Sequence, residues 1–181
     1  MTGDALRRVG CAGLVGAAAT AVVAVAQVAA LQGQPGDDFT AYLPPGDGKA
    51  LVTQQCTSCH DLQGVVRLRA VAAEWETLVL DMGARGAPIM LDDVDPLVKY
   101  LSTAFGPNAP PFTDANAATN ADLTRLPGVT PQAAGRLIAA RSAGPLTSVE
   151  QVRTALGLDA SAFEKIKYYL YVKPVEPAGN Q

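Results

Sequence analysis

The chain has 181 residues, with three cysteines, one histidine and a formal net charge of −3. One histidine excludes a bis-histidine metal or haem site, and three cysteines exclude a scaffold of several disulfides. A pI near 5.1 excludes a basic footprint over the whole chain, and 6% aromatics leave little for an all-β core.

The N-terminus joins Arg7 and Arg8 to an apolar run over residues 9–31, interrupted only by Thr20 and Gln27. A charged start before an apolar run reads as an export signal, with Ala24-Val25-Ala26 as the small-residue cleavage site. The run is also long enough to span a bilayer, although its Ala and Gly content makes insertion weak beside a leucine-rich span. Residues 1–31 are therefore expected to be a cleaved signal peptide or a retained membrane-anchor helix. The rest of the chain is then exported, soluble in the periplasm or held at the inner membrane through residues 9–31. Cys11 reads as a small apolar residue of that segment.

Pro and Gly cluster at Gln34-Pro-Gly, Leu43-Pro-Pro-Gly and Gly106-Pro-Asn-Ala-Pro-Pro111. Such clusters punctuate chains, and they place linkers over 32–45 and 107–118. Two modules remain, 46–106 and 119–173, followed by a tail over 174–181. Charge divides between them. Residues 37–107 hold five Lys/Arg and ten Asp/Glu, whereas residues 108–181 hold seven and six.

The first module carries Cys56-Thr57-Ser58-Cys59-His60. C-x-x-C-H is the pattern of covalent haem c attachment. Two thiols two residues apart meet the two vinyl groups on one haem edge, and the adjacent histidine binds iron. A thioredoxin-type redox pair would follow a strand, and no strand pattern precedes this one. A zinc site needs about four ligands, and residues 32–181 contain no other Cys or His. Methionine is a common second axial ligand in electron-transfer cytochromes. Met82 and Met90 are the two candidates beyond Met1.

Several stretches of this module carry a family resemblance. They are the Cys56–His60 pentad, Glu74-Trp-Glu-Thr-Leu-Val-Leu-Asp-Met82, Gly86-Ala-Pro-Ile, and Val98-Lys-Tyr-Leu-Ser-Thr-Ala-Phe-Gly106. Together they resemble the small class I monohaem cytochrome c domains that accompany quinoprotein and molybdenum dehydrogenases. In that family the methionine after the tryptophan-bearing helix is the ligand. The resemblance therefore implies one covalent haem c on Cys56 and Cys59, with His60 as the proximal iron ligand and Met82 as the distal one. Met90 is the alternative. Tyr100 is expected to pack the last helix of the module on the first, at Gly48. Trp75 is expected in the core against the haem. Arg67 and Arg69 read as propionate partners or as solvated loop residues.

The second module reads as four short helices. Residues 121–126 form the first, and Pro127-Gly128-Val129-Thr130 the turn. Thr130 is the N-cap and Pro131 the first position of the next helix. Gly144-Pro145 ends it, and Thr147-Ser-Val-Glu150 is a capping-box pattern for the third. Gly157-Leu158-Asp159 turns into a last helix carrying Phe163, Ile166, Tyr169 and Leu170. Residues 113–173 resemble the tandem helix-hairpin-helix domain of competence-type DNA receptors. In DNA-binding members two glycines let the hairpin offer backbone N–H groups to phosphate. Thr130 and Asp159 replace the second glycine of each hairpin here, and Asp159 puts a carboxylate where a phosphate would sit. Protein docking is therefore preferred to DNA binding.

The sequence thus predicts an all-α protein: a signal or anchor helix, a small class I cytochrome c domain, and a tandem helix-hairpin-helix domain. The expected activity is one-electron transfer without enzymatic chemistry. The expected partner is a redox protein or membrane electron-transfer complex with a basic docking patch, and DNA is the disfavoured alternative.

Overall fold

In the computed structural model, residues 39–172 are described. The signal or anchor over 1–31, the start of the 32–45 linker and the 174–181 tail lie outside them. Among the described residues no helix is long and apolar enough to cross a membrane. The described residues belong to one compact unit with two apolar cores.

The first core is built by four helices. They are α1 (Lys49–Cys56), α2 (Gln63–Arg67), α3 (Ala72–Ala84) and α4 (Leu91–Ala104). Helix α3 starts where the Glu74 carboxylate accepts the Val71 N–H at 2.9 Å, half of a capping box. Helix α4 starts the same way, with the Met90 N–H donating to Asp93 Oδ2 at 3.0 Å. Helices α1 and α4 pack as expected at Gly48. A Cβ there would lie 2.3 Å from the Tyr100 Cβ, so only glycine admits this approach. The Tyr100 hydroxyl then donates to the Pro44 carbonyl at 2.6 Å.

The second core begins earlier than expected. The stretch 107–118, read as linker, contains strand β1 (Thr113–Asp114), and it buries Ala115 and Ala118. Next come α5 (Asn120–Leu123), α6 (Pro131–Ser142), α7 (Val149–Leu156) and α8 (Ala160–Glu164). The last helix is shorter than its apolar spacing suggested. It gives way to a 3-10 turn over Lys167–Tyr169 and then to strand β2 (Leu170–Tyr171). Strands β1 and β2 pair in parallel, Thr113 with Leu170 and Asp114 with Tyr171. This short ladder is the one departure from an all-α fold among the described residues. It ties the entrance of the module to its exit.

The two cores are joined. Phe39 and Tyr42, from the stretch read as the 32–45 linker, are buried, as is Leu43. They gather with Phe112 and Tyr171 into an aromatic cluster. Ring centroids lie 5.7 Å apart for Phe39 and Tyr171, and 5.1 Å apart for Tyr42 and Phe112. Phe39 sits at φ 61°, a left-handed conformation that costs an L-residue about 1–2 kcal/mol. Its burial in this cluster offsets that cost. Tyr169 bridges the cores, with its hydroxyl donating to the Ala104 carbonyl at 3.0 Å and its ring edge-on to Phe105. Arg69 completes the joint. It donates to the Pro110 and Val66 carbonyls, each at 2.9 Å, and lies over the rings of Phe105 and Tyr169.

Candidate functional site: a cavity shared by two cysteines, the histidine and a methionine

Helix α1 delivers the first cysteine. Val52 and Gln55 face the core, and Cys56 ends the helix half-buried. The turn that follows is held by side chains. The Ser58 hydroxyl donates to the Gln55 carbonyl at 2.9 Å, and the Thr57 hydroxyl to the Thr53 carbonyl at 2.6 Å. This turn leaves Cys59 and His60 exposed. Helix α3 brings Trp75, Val79 and Met82 on one face at helical spacing. Helix α4 brings Leu97 and Leu101.

These elements enclose a cavity of about 440 Å³, within the range of small-molecule and cofactor sites. Cys56, Cys59, His60 and Met82 all line it. Val65, Leu68, Leu78, Val79, Ile89, Leu97 and Leu101 supply apolar walls. Met90 does not line the cavity and is 69% exposed. The structure therefore places Met82, and not Met90, with the pentad. Trp75 is 3% exposed and lines the same cavity. Its indole N–H points away to the Phe105 carbonyl at 3.4 Å.

The local chemistry suits ligation. The His60 Nδ1 lies within hydrogen-bond distance of the Asp61 carbonyl. A carbonyl only accepts, so Nδ1 is the donor in this contact, and Nε2 is the ring nitrogen left to face a metal. Burial pushes the Cys56 thiol above its ordinary pKa. It therefore stays a protonated, apolar wall group at neutral pH. No cluster of three or more His, Cys, Asp or Glu suited to a bare metal ion occurs among the described residues. The set is one imidazole, one thioether and two thiols around an apolar chamber. That set fits a large apolar prosthetic group with a central iron better than a hydrated ion.

Arg67 and Arg69 are not at this cavity. Arg69 is the joint between the cores, and Arg67 lies over the Phe112 ring at 5.7 Å. Neither lines the chamber. The cation on the cavity wall is Arg85, whose side chain also pairs with Asp81 at 2.8 Å. Arg85 carries no sequence signal of its own. It is the C-cap of the helix that bears Met82, one turn beyond that methionine.

The second module has its own geometry. Thr130 caps α6, its hydroxyl accepting the Ala133 N–H at 3.2 Å. Asp159 caps α8, its carboxylate accepting the Ala162 N–H at 2.8 Å. The cap of α7 is shifted from the expected box. Ser148 is the N-cap, accepting the Gln151 N–H at 3.2 Å, and Gln151 reaches back to the Thr147 N–H at 2.7 Å. Glu150 instead pairs with Arg153.

Most cations of this module are committed internally. Arg136 donates to the Leu156 carbonyl at 2.5 Å, beneath the Gly157 turn. Arg141 donates to the carbonyls of Ala115 and Ala118 at 2.8 and 2.7 Å. Arg153 also donates to the Leu158 carbonyl, and Lys167 pairs with Glu164. Of Arg125, Arg136, Arg141, Arg153, Lys165 and Lys167, only Arg125 and Lys165 make no side-chain hydrogen bond among the described residues. Sequence reasoning also missed Asn116. Its amide exchanges two 2.8 Å hydrogen bonds with the backbone of Leu146 and pins the α6–α7 loop.

A family model for a helix-hairpin-helix motif matches residues 113–171. The match opens on the first residue of β1 and closes on the last of β2, so the parallel pair brackets the matched unit. Helix-hairpin-helix motifs are of a nucleic-acid-binding type. No curated protein and no solved structure matches the chain.

Proposed function

We propose that this protein is a monohaem c-type cytochrome that carries out one-electron transfer, with its helix-hairpin-helix module as a docking element. The observation that carries the reading is the shared cavity: Cys56, Cys59, His60 and Met82 line one apolar chamber. In this reading Cys56 and Cys59 would hold the haem edge through thioethers, and His60 Nε2 and the Met82 sulfur would ligate its iron. The bound haem supplies an iron that cycles between Fe(III) and Fe(II). The chain's own residues would ligate that iron through His60 and Met82 and exclude water with Val65, Leu78, Val79, Leu97 and Leu101. No second imidazole is available as a distal acid or base, which argues for electron transfer and against peroxidase-type catalysis.

The reading has a direct test. Protein made with a haem c maturation system is expected to keep its haem through acid–acetone extraction and to show a low-spin spectrum with a sulfur-to-iron absorption band. Met82→Ala is expected to lose the band while retaining covalent haem, and Met90→Ala to keep both. A wild-type chain with no covalent haem sinks the reading. A band that survives Met82→Ala reassigns the ligand.

The partner is proposed to be a redox protein or membrane electron-transfer complex with a basic patch, reached after export. Residues 37–107 carry a net charge of −5, so association rates should fall as salt rises. The helix-hairpin-helix match favours a second reading, a DNA-binding module attached to a haem domain. Against it stand the internal commitments of Arg136, Arg141, Arg153 and Lys167, and the two side-chain caps at the hairpins. Gel shifts with duplex DNA over a salt series separate the two. Binding that weakens steeply with salt supports the DNA reading, and no shift at low salt supports docking.

A further inference from the structure

We infer that Gln55 is a positioning residue that, through Asp93, latches the cavity wall carrying Met82. Gln55 is 7% exposed and lines the cavity beside Cys56. Its amide nitrogen donates to Asp93 Oδ2 at 2.7 Å, across 38 residues. The same Asp93 oxygen accepts the Met90 N–H at 3.0 Å. These two donors hold the Asp93 carboxyl below its ordinary pKa, the Gln55 amide first. The latch therefore joins the haem-attachment helix α1 to the start of α4.

Between Met82 and Met90 runs a short strap. Its Ala87 N–H donates to the Met82 carbonyl at 3.0 Å, and the Ile89 N–H to the Ala87 carbonyl at 2.7 Å. Ile89 lies over Gly83, where an added Cβ would sit 3.8 Å from the Ile89 Cβ. Arg85, Ala87 and Ile89 all line the cavity with Met82. One end of the strap is thus bonded to the ligand's own peptide, and the other is pinned through Asp93 to Gln55. Without the latch, the strap depends on its local turn alone.

The Gln55 side chain is costly where it stands. Its Oε1 is the one buried side-chain oxygen or nitrogen without a hydrogen-bond partner among the described residues, and such an acceptor destabilises a fold. A leucine would fill the same place without that cost. What the amide provides is the bond to Asp93.

This inference rests on the haem reading, and its test separates the two. Gln55→Leu, Asp93→Ala and Asp93→Asn are prepared as holoprotein. Covalent haem content and helical circular dichroism confirm attachment and folding. The readouts are the sulfur-to-iron band and the rate at which imidazole displaces Met82 from ferric iron. Gln55→Leu and Asp93→Ala are expected to weaken the band and speed displacement by about tenfold, the worth of one charge-assisted hydrogen bond. Asp93→Asn keeps an acceptor oxygen and is expected near wild type. Displacement rates within about twofold of wild type in both Gln55→Leu and Asp93→Ala overturn the latch and leave the haem reading intact. Absence of haem from the wild type removes both.

Discussion

At the scale of single residues, chemistry and packing divide cleanly in what the sequence revealed. Cys56, Cys59 and His60 were legible as a group because they lie within five positions of one another, and all three line one cavity. Met82 needed the resemblance to be preferred to Met90, and the structure shows why position along the chain was insufficient. Met82 faces the cavity from the last turn of α3, whereas Met90 lies beyond the strap in solvent. Gln55 was illegible, because its partner is 38 residues away. Glycines give a sharp residue-scale prediction. Gly48→Ala meets the Tyr100 Cβ at 2.3 Å and is expected to lose about 1–3 kcal/mol in denaturant unfolding. Gly135→Ala, in α6 with nothing within 4 Å, is expected to gain about 0.5–1 kcal/mol. Equal midpoints for the two variants would contradict the close approach of α1 and α4.

At the scale of elements, helix starts were read well where one side chain decides them. Thr130 caps α6 as expected. The α7 cap was displaced by one residue because Ser148 and Thr147 both satisfy the local pattern. Gln151 settles the choice by bonding Thr147, while Arg153 occupies Glu150. Replacing Thr130 or Asp159 by Ala is expected to cost about 1 kcal/mol each in unfolding free energy. The acid dependence follows from the same caps and pairs. Asp93 is held below its ordinary pKa first by the Gln55 amide, Asp122 by the Thr119 hydroxyl, and Glu150 by Arg153. A carboxyl depressed in the folded state stabilises above its unfolded pKa, and that stability is lost as pH falls through the lower folded value. The melting temperature is therefore expected to hold from about pH 7 to pH 5 and to fall below about pH 4. A melting temperature that rises on acidification would reverse the sign of this account.

At the scale of the whole molecule, the sequence divided the chain at proline and glycine, and the structure joins it at aromatic residues. Phe39, Tyr42, Phe112 and Tyr171 come from stretches read as two linkers and a terminal helix. No local period could predict their meeting, because each contributes one side chain to a cluster assembled across more than a hundred residues. Arg69 was ambiguous for the same reason, since its partners Pro110, Phe105 and Tyr169 lie far along the chain. The joint predicts shared stability. Thermal unfolding is expected to show one transition, coincident by the fluorescence of Trp75 in the first core and by far-ultraviolet circular dichroism. A fragment ending at Gly106 lacks Phe112, Tyr169 and Tyr171. It is expected to lose several kcal/mol, since each large side chain left unpacked costs about 1.5–3 kcal/mol. Two separated transitions in the full chain would show that the modules are independent.

The sequence by itself determined what is local. The Cys56–His60 pentad, the capped helices, the two hairpins and the split of charge each depend on residues within a few positions of one another. Tertiary structure decided what is shared. It selected Met82 for the cavity, turned Arg136 and Arg141 into internal staples, set the Gln55–Asp93 contact and buried Phe39, Tyr42, Leu43, Ala115 and Ala118 from stretches read as linkers. The physical reason is that side chains distant in sequence find their partners only when helix packing brings them within hydrogen-bond or van der Waals reach.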